Sequence, residues 1–299
     1  MLHRRRRITA GTSVLLLVAA TLSVVTAASA NAAPAPAELC GPGSAINYSS
    51  DDFPQPTKIS NKWFSLVPGM QFTTTGTVTS ADGVHSHSVV HTVTGLTKEI
   101  DGVTTRVLWD RDYQDGQLQE SELAFFAQSS DRTVWLFGEY PEEYENGEFI
   151  GAPSTFIHGL AKAQAGIAMP ARPSLRAPDY VQAHAPKVGF LDCGNVILKD
   201  QHVCVPTGCY NDVLVIDEYN PLDPPEEGHQ RKFYSAGTGL VKVTAVGGTD
   251  QEFMDLVSIR TLTAAQLNQV NAQALEQDSR GYEVSRSVYA KTAPATVGP

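Results

Sequence analysis

The sequence predicts an all-β fold: an antiparallel meander curled into a barrel or a two-layer sandwich, with one C-terminal helix. Three observations predict it. Turn dipeptides recur at Asp82-Gly83, Asp101-Gly102, Asp115-Gly116 and Asn146-Gly147. Alternating or β-branched runs lie between and after them. One helical pattern stands near the end, behind a Thr cap.

The chain opens with a leader. Arg4 to Arg7 form a cationic start, and residues 13–25 are uncharged and mostly apolar. Ala28-Ser29-Ala30 and Ala30-Asn31-Ala32 are small-x-small cleavage sites, so residues 1–32 read as a secretory signal peptide. The arginines fit the general and the twin-arginine export routes equally. Cys40 follows Glu38-Leu39 and lacks an acylation pattern, so the reading is a secreted chain with no membrane anchor. Removing the four leader arginines leaves 18 basic against 32 acidic residues, a net charge of −14. That balance argues against a nucleic-acid partner or an anionic membrane surface.

Residues 33–57, rich in Ala, Pro and Ser, read as a flexible mature N-terminus. The β domain spans 58–262. Its first strands are expected at 72–79, 88–94, 104–109, 118–127 and 133–137, separated by dipeptides that supply the positive φ of tight hairpins. Residues 151–187 hold five prolines and break the rhythm, which predicts a long loop covering the open end of the sheet. Strands resume at 194–205, 210–219, 230–235, 239–246 and 252–259. Thr263 caps a helix over 263–280, with Leu267, Val270, Ala274 and Leu275 near one face. The tail at 290–299 is expected to be disordered.

The four cysteines suggest two disulfides, with three pairings open. Cys204 and Cys209 flank a Val-Pro-Thr-Gly turn and are expected to face each other across a hairpin, which leaves Cys40 for Cys193.

Several phrases occur in a specific order along the chain. They are Ile59-x-Asn61-x-Trp63-Phe64-x-Leu66-x-Pro68-Gly69, Phe126-Ala127-Gln128, Val134-Trp135-x-Phe137-Gly138-Glu139, Gly166-Ile167-x-Met169-Pro170-Ala171, Val205-Pro206-x-Gly208-x-Tyr210 and Lys232-x-Tyr234-x-x-Gly237-x-Gly239. In these the chain resembles a family of exported actinobacterial β-rich proteins and lipoproteins. The resemblance implies a fold and a compartment, not an activity. The family looks acidic where this chain has Ala124 and Ser129, and it opens the long loop with Glu-Gly-Ser-Trp where this chain has Ala152-Pro153-Ser154-Thr155-Phe156. If the family's acids bind a cation or polar ligand there, the departure implies its loss and a more apolar site in this member.

Four clusters are candidates for chemistry. His85, His87 and His91 share one face of a strand, a usable metal geometry, but an exposed polar face explains them better. Asp110, Asp112, Asp115 and Glu120 miss the calcium-loop spacing and read as a solvated hairpin tip. Phe126, Trp135, Phe137 and Tyr140 are core residues or the wall of a cavity, with Phe156, Met169 and Tyr180 of the long loop beside them. Glu139, His158 and Glu218 are the acid/base candidates around such a pocket, with Asp179 and His184 as further titratable groups. No nucleophile elbow, P-loop or dinucleotide fingerprint is present, so no cofactor is expected. The expected partner is a small apolar or amphipathic molecule at the mouth of the barrel. The alternatives are a cofactor-free cyclase or isomerase using the same cavity, in natural-product assembly, and a cell-surface interaction module.

Overall fold

Asp101-Gly102, Asp115-Gly116 and Asn146-Gly147 all take positive φ, 48° and 76°, 50° and 77°, 52° and 80°, as two-residue hairpin turns require. The computed structural model describes residues 35–81, 83–224 and 227–298, so the leader lies outside the described residues. Two short strands come first, β1 (Ile59–Ser60) and β2 (Ser65–Leu66). The first meander is β3 (Met70–Ser80), β4 (Gly83–Ile100), β5 (Val103–Gln114), β6 (Gln117–Gln128) and β7 (Val134–Glu145). Then come β8 (Glu148–Gly151), β9 (Phe156–Ile157), β10 (Gln164–Met169) and β11 (Tyr180–Ala185). The second meander is β12 (Phe190–Val205), β13 (Gly208–Tyr219), β14 (His229–Ser235), β15 (Gly239–Val246) and β16 (Gln251–Thr261).

Each long strand pairs antiparallel with the next. β10 pairs with both β7 and β11, and β16 returns to β3. Twelve strands therefore close into an antiparallel barrel, which removes the open edges of the sheet. Of the two architectures the pattern left open, the barrel is the one formed.

Three expectations are corrected. Residues 151–187 are mostly wall rather than cover: they contain β9, β10 and β11, and β10 supplies the link between the two meanders. The prolines sit between these short strands, at 153, 170, 173, 178 and 186, so they punctuate pairing without interrupting it. The tail is ordered: β17 (Thr296–Val297) pairs with β4 at Thr97 and Leu96. The N-terminal stretch is pinned as well. Cys40 is bonded to Cys193, and Phe53 is buried in the main apolar cluster with Ile46 and Tyr48 against it. The second disulfide joins Cys204 to Cys209 across the β12–β13 turn. Both pairings are the expected ones.

The helix α1 (Ala264–Val284) runs a turn beyond its expected end. Thr263 closes a capping box: its hydroxyl accepts from the Gln266 N–H, and Gln266 Oε1 accepts from the Thr263 N–H at 2.9 Å. Val270, Ala274 and Gly281 are buried while the opposite helix face is exposed, so α1 lies on the outside of the barrel. It covers Leu96, Trp109, Leu123, Phe125 and Tyr140. One cation locks it there. Lys98 Nζ, on β4, donates to Asp278 Oδ1 (2.9 Å), Tyr282 Oη (2.8 Å) and the Ala293 carbonyl (2.7 Å).

Candidate functional site

The strands β5–β7 are buried on both faces, so each face needs its own account. On β6, Leu123, Phe125 and Ala127 join the apolar cluster under α1. The intervening residues Glu120, Glu122, Ala124, Phe126 and Gln128 therefore face the barrel interior. Register carries this inner face to the neighbouring strands: Glu120 opposes Asp112, Glu122 opposes Asp110, and Ala124 opposes Glu139. It continues through His91, Val89 and His87 on β4 and Thr74 and Gly76 on β3. On the far side it carries Glu218, Ile216 and Leu214 on β13, and Lys232 and Tyr234 on β14. Glu122 on β6 feels Lys232 across the barrel on β14, and Glu139 feels Asp192, as inward-pointing groups must.

The inner wall is divided into two zones. At the end where β6, β10 and β14 stop, it is apolar: Phe126, Val134, Leu136, Met169, Val241 and Leu256 are all buried. The β1–β2 segment lies across this end. Asn61 Nδ2 donates to the carbonyls of Arg132 (2.9 Å) and Pro170 (3.1 Å), the Gly237 N–H donates to the Lys62 carbonyl (2.8 Å), and Phe64 packs on Phe126 at 5.1 Å. The cover is thus residues 59–66, not 151–187.

The rest of the interior is acidic. Burial and the Asp110 carboxylate push Glu122 up to about 7, despite Lys232. Burial, Glu122 and Asp192 raise Glu139, and burial with Glu122 and Asp112 raises Glu120. Burial and Glu218 push Asp192 up to about 7 against the pull of Lys232. Lys232 is ion-paired with Glu218, which also accepts from Gln182 Nε2 (2.9 Å). Toward the mouth, His87 bridges two carboxylates, Asp112 at 2.5 Å and Glu252 at 2.9 Å. Burial alone would push this imidazole down. The bonds to Asp112 and Glu252 reverse that and hold it up at about 10.

The three histidines read as metal candidates therefore do not converge. His85 pairs with Asp115 (2.7 Å), His87 with Asp112 and Glu252, and His91 with Asp110 (3.0 Å). Among the described residues the one cluster with ligand spacing is His202, Cys204 and Cys209, whose sulfurs are spent in the disulfide. Asp110 and Asp112 are not a solvated tip; they belong to the inner wall, and only Asp115 sits at the turn.

Of the cavity-wall candidates, Phe126, Met169 and Tyr180 lie on the inner side, with the acids Glu139 and Glu218. Gly194 makes room for Tyr180: a Cβ there would lie 2.5 Å from its ring. Trp135, Phe137 and Tyr140 belong instead to the outer cluster under α1 and the N-terminal segment, because the bulge at Phe125/Phe126 sets their side of β7 outward. Phe156 pairs opposite Glu139 and stacks on Phe190 at 5.0 Å, filling the wall where β9 takes over from β10. His158 lines a separate cleft of about 290 Å³ with Asp101 and Lys291. Its Nδ1 accepts from the Ala165 N–H (2.9 Å), and burial pushes it below the usual histidine range.

Sequence reasoning missed Asp110, Asp112, Glu120, Glu122, Asp192, Lys232 and Glu252 as inward groups. The available signal was the period-2 spacing of acids in strands whose alternate residues are large and apolar.

No family model and no curated protein matches the chain. Two solved structures are similar at low level. One is a protein described as exported, with a YmcC-like fold, from Bacteroides fragilis: TM-score 0.40, 14% identity, 68% of this chain and 100% of that one. The other is described as a lipoprotein from Parabacteroides distasonis: TM-score 0.31, 12% identity, 67% of this chain and 100% of that one. Among the described residues no helix is long and apolar enough to cross a membrane.

Proposed function

We propose that the barrel interior is a binding chamber for a small amphipathic molecule, carried by an exported protein. The observation that carries this reading is the division of one continuous inner wall. An apolar zone around Phe126, Leu136 and Met169 adjoins an acidic zone around Glu122, Glu139 and Asp192. A purely structural core gains nothing from buried carboxyls, since each costs desolvation. A ligand with an apolar body and a polar end uses both zones. Export is supported by the leader and by two disulfides, which persist outside the cytosol.

The test uses the chain from residue 33 onward and the neutral, environment-sensitive dye Nile red. The expected result is saturable binding near one dye per chain, abolished by Leu136→Trp, which fills the apolar zone. No saturable binding, or binding indifferent to Leu136→Trp, overturns the reading.

One observation favours a second reading in the same chamber, a cofactor-free cyclase or isomerase. Glu122 and Asp192 both exchange protons near neutrality, as a general acid and base require. Turnover of a bound polyene or epoxide, lost in Glu122→Gln with binding retained, would distinguish an enzyme from a carrier.

A further inference from the structure

Where β11 borders the acidic zone, Tyr180 Oη and Gln182 Oε1 are buried polar atoms with no hydrogen-bond partner among the described residues. Gln182 is fully buried and Tyr180 is 8% exposed. The Gln182 amide N–H is already given to Glu218 at 2.9 Å, which fixes the amide so that its remaining atom is an acceptor. Buried polar atoms without partners are rare in native structures and mark the place of a further group: Gln182 Oε1 can only accept, and the Tyr180 hydroxyl can accept while donating onward. Their neighbours are acceptors as well. Glu218 takes the Lys232 ammonium, and Tyr234 Oη donates to it from 3.4 Å. Asp192 lies beside the same ion pair.

From this we infer that the polar end of the bound molecule is a protonated amine, seated against Gln182, Tyr180 and Asp192. The inference rests on the chamber proposed above. An ammonium has three donors and no acceptor, which matches a pocket wall with acceptors to spare. Its charge also suits the spot: Glu218 and Asp192 both draw on the single ammonium of Lys232. A carboxylate head would add a like charge to this group, and an alcohol would satisfy one acceptor only. The apolar body then runs toward Leu136 and Phe126, away from the mouth.

Calorimetric titration of the chain from residue 33 onward with octylamine, 1-octanol and octanoate at pH 7 tests the assignment. The three share a tail and differ only in the head. Octylamine is expected to bind at least tenfold more tightly than octanol, and octanoate more weakly than either. Asp192→Asn and the nearly isosteric Tyr180→Phe should each reduce octylamine binding several-fold and leave octanol unchanged. Octanol or octanoate binding as tightly as octylamine would overturn the amine assignment and leave the chamber standing. An amine preference untouched by both variants would overturn its location. Failure of all three to bind would overturn chamber and amine together.

Discussion

The two faces of β5–β7 are built from the same three strands and are both largely hidden from water, yet they are opposites. Outward, Trp109, Leu123, Phe125, Phe137 and Tyr140 form an apolar layer sealed by α1 and the N-terminal segment. Inward, Asp110, Asp112, Glu120, Glu122 and Glu139 crowd carboxyls together. The inversion is the reverse of a small barrel with a packed apolar lumen. It teaches that stability has been moved to the outside of the barrel, where α1 completes a core. The inside packs apolar side chains at one end only and keeps its carboxyls at the other.

Four changes would break or sharpen this contrast. The largest effect belongs to the outer lock. Lys98→Met strands Asp278 in the α1 interface and should cost about 3–5 kcal/mol in denaturant unfolding. Adding Asp278→Asn should return part of that loss. A change below about 1 kcal/mol would mean α1 is not held there. Next, Leu123→Ala, also outward, should cost about 3 kcal/mol and leave Nile red binding per folded chain unchanged. Loss of binding at unchanged stability would reverse the assignment of faces.

The third concerns pH and the inner face. Glu122 titrates at about 7 in the folded chain and near 4 when unfolded. Between those values the folded state holds the extra proton, so its contribution is complete below about pH 4 and is lost as pH rises through 7. His87, raised to about 10, acts in the same direction, its contribution fading as pH rises through 10. Between pH 5 and 8 the wild type should lose about 2 kcal/mol more than Glu122→Gln, read from unfolding midpoints. Parallel pH profiles would place Glu122 in solvent. The smallest effect is at the helix start: Thr263→Ala removes one half of the capping box and should cost about 1 kcal/mol.

The fold was readable where local chemistry decides it. Asp-Gly and Asn-Gly turns, the Thr263 cap and the Cys204–Cys209 hairpin are all properties of a few adjacent residues. The faces were harder. Val203 to Val205 and Val241 to Val243 alternate visibly, whereas β6 is buried on both sides and its apolar residues give no direction. The one-residue bulge on β7 at Phe137, opposite Phe125 and Phe126, then sets Trp135 and Phe137 on the same outer side as Tyr140, a shift that no periodicity reveals. Met169 and Tyr180 were expected on a loop and stand instead on wall strands, because strands of six residues bounded by prolines look like loop. Asp192 and Lys232 were invisible as neighbours of Glu139 and Glu122, since only closure of the ring brings β12 near β7 and β14 across from β6.

That closure also sets an order of events. Every barrel strand but one pairs with the next strand in the ring along the chain; the exception is the ladder of β3 with β16, from Met70 with Thr261 to Thr79 with Gln251. In a chain threaded outward from its N-terminus, β3 arrives first and its partner arrives last. Its outer edge stays open while the rest of the barrel is delivered, a standing invitation to pair with a neighbouring molecule. The strand that waits is Met-Gln-Phe-Thr-Thr-Thr-Gly-Thr-Val-Thr-Ser, five threonines in eleven residues. A hydroxyl-rich edge stays wetted until its partner comes, so the seam of the barrel is also its safeguard during delivery.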